Sequence, residues 1–155
     1  MARSIHLIVV GKLKDTHLEA IETDYLKRIQ NPDLMIHELK ASAENKTAEG
    51  EAIIKKIKDL GGGLRGGAHC VAMTEWGNRF TSVAFAEWSR ENLEKSNKLI
   101  FIIAGAEGFS TEVLGLCQER LSLSELTFPH KLARILLVEQ LYRAQTIRAG
   151  HPYHN

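Results

Sequence analysis

Apolar and polar positions along the chain change period repeatedly. The run SIHLIVV (Ser4–Val10) is rich in β-branched residues and is closed by Gly11, which predicts a strand. THLEAIETDYLKRI then sets Thr16 and Glu19 at the T-x-x-E spacing of a capping box and brings Leu18, Ile21, Tyr25, Leu26 and Ile29 to one helical face. NPD interrupts the pattern, and LMIHELK is a weaker strand. TAEGEAIIKKIKDL aligns Ala52, Ile53, Ile57 and Leu60 on one side of a helix that three glycines end. AHCVAMT and KLIFIIAG read as strands covered on both faces, with a helix over residues 82–93 between them. FSTEVLGLCQER reads as a short helix with Ser110 as its N-cap, and LSLSELTF as a short strand or extended loop. KLARILLVEQLYRAQTIRAG is a long helix, apolar over much of its circumference, with Pro129 near its first turn and Gly150 as its stop. Strand and helix alternate throughout, which predicts an α/β domain over residues 1–155 with a mostly parallel sheet and helices on both faces.

Composition narrows the class. With 44% apolar and 25% charged residues the chain is an ordinary globular protein, and its formal net charge of +1 creates no global field directed at nucleic acid or membrane. The two cysteines, Cys70 and Cys117, lie inside apolar runs and form neither a disulfide framework nor a zinc site. Buried free thiols, a start without a signal-peptide pattern and the lack of a membrane-length apolar run together predict a cytoplasmic protein.

Four stretches carry candidate chemistry. Residues 61–67 are glycine-rich but follow a helix and lack the Lys-Ser/Thr ending of a P-loop, so they read as a flexible loop. No G-x-G-x-x-G follows the first strand, which argues against a Rossmann dinucleotide site. IIAGAEGFS, by contrast, leaves the C-terminal end of an apolar strand, where α/β sheets bind ligands, and Gly105 and Gly108 permit close backbone approach there. Residues 127–130 lead into the last helix, whose free N–H groups can meet a polar ligand. That helix and the tail carry Lys131, Arg134, Arg143 and Arg148 against Glu139, a local excess of +3 over residues 131–155. The closing HPYHN places titratable and aromatic side chains where chain ends usually fray. His151 and His154 alone make no metal site, since no cluster with metal-ligand spacing accompanies them.

IIAGAEGFS, LSLSELTFPHKLARILLVEQLYRA and the terminal HPYH together resemble the single-domain SPOUT-class methyltransferases that methylate N3 of a pseudouridine in 23S ribosomal RNA, and the resemblance runs from LIVVGK to the tail. It implies a trefoil-knotted α/β domain that forms a homodimer, with S-adenosylmethionine held by main-chain groups. Carried over by position, the cofactor contacts fall on Met73, Ala104, Gly105, Leu123, Ser124, Glu125, Leu126, Thr127 and Phe128. The family usually has two glycines where this chain has Ala104 and Gly105, a proline at Ala106, and Leu-Asp at Met73 and Thr74. A backbone contact survives such changes, whereas a side-chain role for that Asp is lost. Methyl transfer to N3 needs its proton to leave while charge develops on the flanking carbonyls, and Arg143, His151, Tyr153 and His154 are the available catalytic groups. An imidazole can serve as the base or stabilise charge, and the tail, made stiff and extended by Pro152, can reach a cofactor in its own subunit or a partner's. Two other readings stand beside this one: methyl transfer to another RNA such as tRNA, and a non-catalytic dimeric nucleotide-binding module.

Overall fold

The computed structural model describes residues 2–42, 45–63 and 65–155. Five strands, β1 (Ser4–Val10), β2 (Leu34–Leu39), β3 (His69–Asn78), β4 (Lys98–Ile103) and β5 (Glu119–Leu121), form one all-parallel sheet in the order β2-β1-β4-β3-β5. Five helices connect and cover them: α1 (Thr16–Arg28), α2 (Lys46–Asp59), α3 (Ser82–Ser96), α4 (Thr111–Gly115) and α5 (His130–Ala149). A parallel sheet needs both faces covered, and the alternation along β1 shows how this chain does it. Ile5, Leu7 and Val9 point to a core shared with Phe85 and Trp88 of α3 and Leu137, Val138 and Leu141 of α5. Ile8 points the other way, to Ile53 and Ile57 of α2 and Val113 of α4. Complete burial of Leu7, Ile57, Ile100 and Phe101 contributes about 1.5–3 kcal/mol each relative to exposure.

Several expectations need correction. Asp15, not Thr16, caps α1, its carboxylate accepting from the His17 and Leu18 amides at 2.9 and 3.1 Å. Ile21, placed on the buried face of α1 by pattern, is exposed, while Glu22 beside it is buried. The reason is an ion pair: Arg134 of α5 donates to both Glu22 carboxylate oxygens at 2.6 and 2.8 Å and to Glu38 of β2 at 2.7 Å. The stretch CQER, read as the end of a helix, supplies β5 instead, and LSLSELTF has no strand beyond Leu121. Glu119 holds β5 to its neighbours by accepting from Trp88 Nε1 at 2.9 Å and pairing with His69. The glycine-rich residues 61–67 include Leu64, which lies outside the described residues; around it the Ala68 amide returns to the Gly61 carbonyl at 3.2 Å, closing a turn at the start of β3. Among the described residues, no helix is long and apolar enough to cross a membrane. Cys70 is buried as expected, while Cys117 is only half-buried; both thiols are free.

Candidate active site

β3 and β4 are neighbours whose connections leave to opposite faces, β3 into α3 and β4 into α4. Such divergence opens a crevice beyond the C-terminal ends of the strands, the usual ligand site of an open α/β sheet. Here the cleft has a volume of about 450 Å³, within the ordinary range for small-molecule sites. Three segments form its walls: residues 73–76 at the end of β3, residues 103–106 after β4, and the chain between β5 and α5. Of the cofactor candidates, Met73, Ala104, Gly105, Leu123, Ser124, Leu126, Thr127 and Phe128 all line this cleft. Glu125 does not; it points to solvent and pairs with Arg79 at 3.2 Å.

The segment between β5 and α5 is irregular because its neighbours hold it by side chains. Ser122 is buried, and its hydroxyl, 3.0 Å from the Glu75 carbonyl and 2.8 Å from that of Ser124, ties the segment to the end of β3. Gly77 makes that approach possible, since a Cβ there would sit 2.6 Å from the Arg120 carbonyl carbon. Among the described residues, the amides of Leu123, Thr127 and Phe128 donate to no protein group, and Pro129 caps α5 without a side-chain hydrogen bond. The cleft therefore meets a row of free main-chain donors and an open helix N-terminus, which suits a carboxylate or the edge of a heterocycle. Glu75 is the charged side chain of the lining, which includes no lysine or arginine, so a cationic organic ligand suits it better than a polyphosphate. Thr74 also lines the cleft, and its Oγ1 is a buried hydroxyl without a partner among the described residues. Beneath the turn after β4, the buried Glu49 accepts from the Ser42 amide at 2.9 Å and packs where a Gly105 side chain would stand.

The catalytic candidates gather elsewhere. Arg143 pairs with Glu139 at 2.9 Å and with His154 Nδ1 at 2.9 Å. The Tyr153 hydroxyl donates to Glu139 at 2.9 Å and lies 3.4 Å from that of Tyr25, and its ring packs edge-on against Tyr142. Burial first, and then its bonds to Tyr25 and Glu139, push the Tyr153 phenol well above its ordinary pKa. His151 accepts from the Tyr153 amide at 3.1 Å and stays exposed. The tail thus forms a turn at residues 152–153 instead of an extended strap. Arg143 and Tyr153 converge on Glu139, with His154 held on Arg143; pattern reading counted Glu139 only as a charge, although its i,i+4 spacing to Arg143 was visible. At about 1.5 Å per helical residue, Arg143 lies roughly 15 Å along α5 from Ala133 in the cleft wall. One chain therefore does not bring the tail to its own cleft. The +3 excess is also not a free basic surface, because Arg134 is buried between two carboxylates and Arg148 donates to Ser89 at 3.1 Å.

An all-parallel sheet with a cleft built by backbone at the ends of its inner strands defines a small-molecule-binding α/β protein. Comparison with known proteins places it further. Residues 3–154 match the family model described as "Predicted SPOUT methyltransferase", and the chain belongs to this family. It is similar to proteins named ribosomal RNA large subunit methyltransferase H from Bacteroides fragilis (36% identity over 96% of this chain and 97% of the relative), Gluconacetobacter diazotrophicus (38% over 97% and 96%) and Prochlorococcus marinus (41% over 97% and 92%).

Proposed function

We propose that this protein transfers a methyl group from S-adenosylmethionine to ribosomal RNA of the large subunit, at N3 of a pseudouridine in 23S rRNA, as a single-domain, knotted homodimer in the cytoplasm. The observation that carries the reading is the cleft: its amides at residues 123, 127 and 128, without a protein partner among the described residues, and a lining with Glu75 and no lysine or arginine occur in a chain aligned nearly end to end with rRNA methyltransferases. The group fits these residues. The main-chain donors of Leu123, Thr127 and Phe128 and the N-terminus of α5 suit its carboxylate and adenine edge, Glu75 suits its positive charge, and Ile103, Phe109 and Phe128 offer an apolar bed. When bound, S-adenosylmethionine supplies an electrophilic methyl on a sulfonium.

The residues of this chain do the rest. Two rigid strand ends fix the position of the reacting atoms, which is where much of a transfer rate comes from. Arg143, His151, Tyr153 and His154 take the N3 proton and hold the charge that develops on the flanking carbonyls. In one chain they stand too far from the cleft, so the reading requires a second copy. Leu132 and Leu136 are 45% and 41% exposed on α5, and Phe80 lines a shallow groove with Leu136. An antiparallel pairing of two α5 helices about these leucines buries that apolar strip. It also sets the Arg143 cluster of each copy beyond the N-terminus of the other's α5, over its cleft. Calorimetry is the test of the cleft: S-adenosylmethionine is expected to bind and ATP is not, and equal affinity for ATP overturns the assignment.

A further inference from the structure

An aromatic ring stands in the rim of the cleft. Trp76 is 65% exposed, at the apex of an irregularity where β3 leaves and rejoins β5 between Met73 and Asn78. An exposed tryptophan is a large apolar area left in water, and this one stands on backbone fixed from several directions. The Ser122 hydroxyl lies 3.0 Å from the Glu75 carbonyl, the Ser122 amide donates to the Asn78 carbonyl at 2.8 Å, and Gly77 packs directly on the backbone of Arg120. The guanidinium of Arg120 lies 5.4 Å from the centre of the Trp76 ring, and among the described residues it has no carboxylate partner. The acids nearby are Glu75, on the same rim, and Glu125, which is already paired with Arg79.

We infer that Trp76 and Arg120 form a stacking platform for an unpaired nucleobase of the RNA substrate, next to the base that receives the methyl group. The inference rests on the RNA methyltransferase reading above. Sequence-specific and loop-directed RNA recognition stacks splayed bases on aromatic rings and guanidinium planes, and this pair offers both on a preorganised support. It also shows how a nearly neutral protein can grip RNA: by stacking at a few points, with one uncompensated arginine for a phosphate, where a broad basic surface is lacking. Ile103, Phe109 and Phe128 line the same cleft and are the apolar bed proposed for the cofactor, which leaves the exposed part of the Trp76 ring to the second substrate.

The test measures steady-state methyl transfer to large-subunit particles and whole ribosomes from cells lacking the enzyme, with saturating S-adenosylmethionine. Trp76→Ala is expected to raise KM for the particle by roughly 5- to 100-fold. In this variant the rise in KM for the particle should exceed any change in the Kd for S-adenosylmethionine severalfold, with the oligomeric state kept. Trp76→Phe should recover most of the loss, and Arg120→Gln should raise KM by a few-fold. An unchanged KM overturns the platform. So does an equal weakening of cofactor binding, which would make Trp76 a cofactor contact, or dissociation of the dimer, which would make it an interface residue. Quenching of tryptophan fluorescence by oligouridine RNA provides a readout independent of methyl transfer. The wild type should be quenched and Trp76→Phe should not, because Trp88 is buried. Quenching without any methyl transfer by the wild type would sink the functional reading while leaving the platform. Absence of quenching would overturn the platform itself.

Discussion

Gly77→Ala tests whether the cleft depends on the tight crossing of β3 and β5. The added Cβ would stand 2.6 Å from the Arg120 carbonyl carbon and 2.7 Å from both its oxygen and the Leu121 nitrogen. Carbon atoms pack at about 3.5–4.0 Å, so one backbone must retreat by roughly 1 Å. All three neighbours are main chain, and no rotamer change relieves the clash. Overpacking of this kind costs about 1–3 kcal/mol. The retreat also strains the Ser122 amide bond to Asn78 and the Ser122 hydroxyl bond to Glu75, each worth about 0.5–1.5 kcal/mol net. The total is about 2–6 kcal/mol, which lowers the melting temperature of a domain this size by roughly 4–24 °C. Because Met73 and Thr74 of the same strand end line the cleft, affinity for S-adenosylmethionine should fall with it. Gly115→Ala is the control, since nothing lies within 4 Å of its added Cβ. Scanning calorimetry and titration calorimetry on both variants check the prediction. A Gly77→Ala protein that melts within 2 °C of the parent and binds the cofactor equally well refutes the reasoning.

Three further outcomes follow from other parts of the structure. Arg134→Met leaves Glu22 buried without its partner and should cost about 3–5 kcal/mol in a denaturant titration, with the added substitution Glu22→Leu recovering much of the loss. Burial first, and then His37 and Lys98, lower the His6 pKa from 6.5 to about 4, so between those values the unfolded chain binds the extra proton. Stability should thus be complete above pH 6.5 and fall by at most about 3 kcal/mol as pH drops toward 4, and a flat profile in melts across this window contradicts it. Truncation after Gly150 removes the Tyr153 contacts with Glu139 and Tyr142, so the melting temperature should fall by a few degrees while methyl transfer drops by about 100-fold or more. Full activity in the truncated protein refutes the catalytic role of the tail, and loss of the fold would mean that the tail serves packing alone.

Much of the architecture was legible because it obeys a local rule. The run Ser4–Val10 reads as a strand and KLIFIIAG as a strand covered on both faces, and Ile5 through Val9 and Leu99 through Ile103 are buried. Ser110 caps α4 and Gly150 ends α5 in the left-handed conformation, since both ends depend on neighbours only a few residues away. The segment after β4 was legible because ligand sites in open α/β sheets follow the strand ends, and the entry to α5 because a helix start leaves free N–H groups, whereas Met73 at the end of β3 was named only through the family resemblance. What failed depended on distant partners. Three residues, one of them a charged Glu119, become β5 only through pairing with β3 and contacts with Trp88 and His69. Glu22 looks solvent-facing until Arg134, more than a hundred residues later, arrives to neutralise it. The tail was read as an extended strap because Pro152 restricts its predecessor, yet the Tyr153 contacts fold it back as a turn. Which cleft the tail would serve in the proposed dimer depends on how two copies would meet, a relation that no periodicity within one chain encodes.

The central claim is methyl transfer to a ribosomal nucleotide, and one measurement meets it directly. Large-subunit particles and whole ribosomes from cells lacking the protein are incubated with the purified enzyme and S-adenosylmethionine carrying a labelled methyl group. The 23S RNA is then digested and the label located by mass spectrometry. The account predicts one labelled nucleotide, a pseudouridine methylated at N3, in RNA from at least one of the two particles. Label confined to tRNA, at another atom, or absent from all RNA while the cofactor is bound would contradict it.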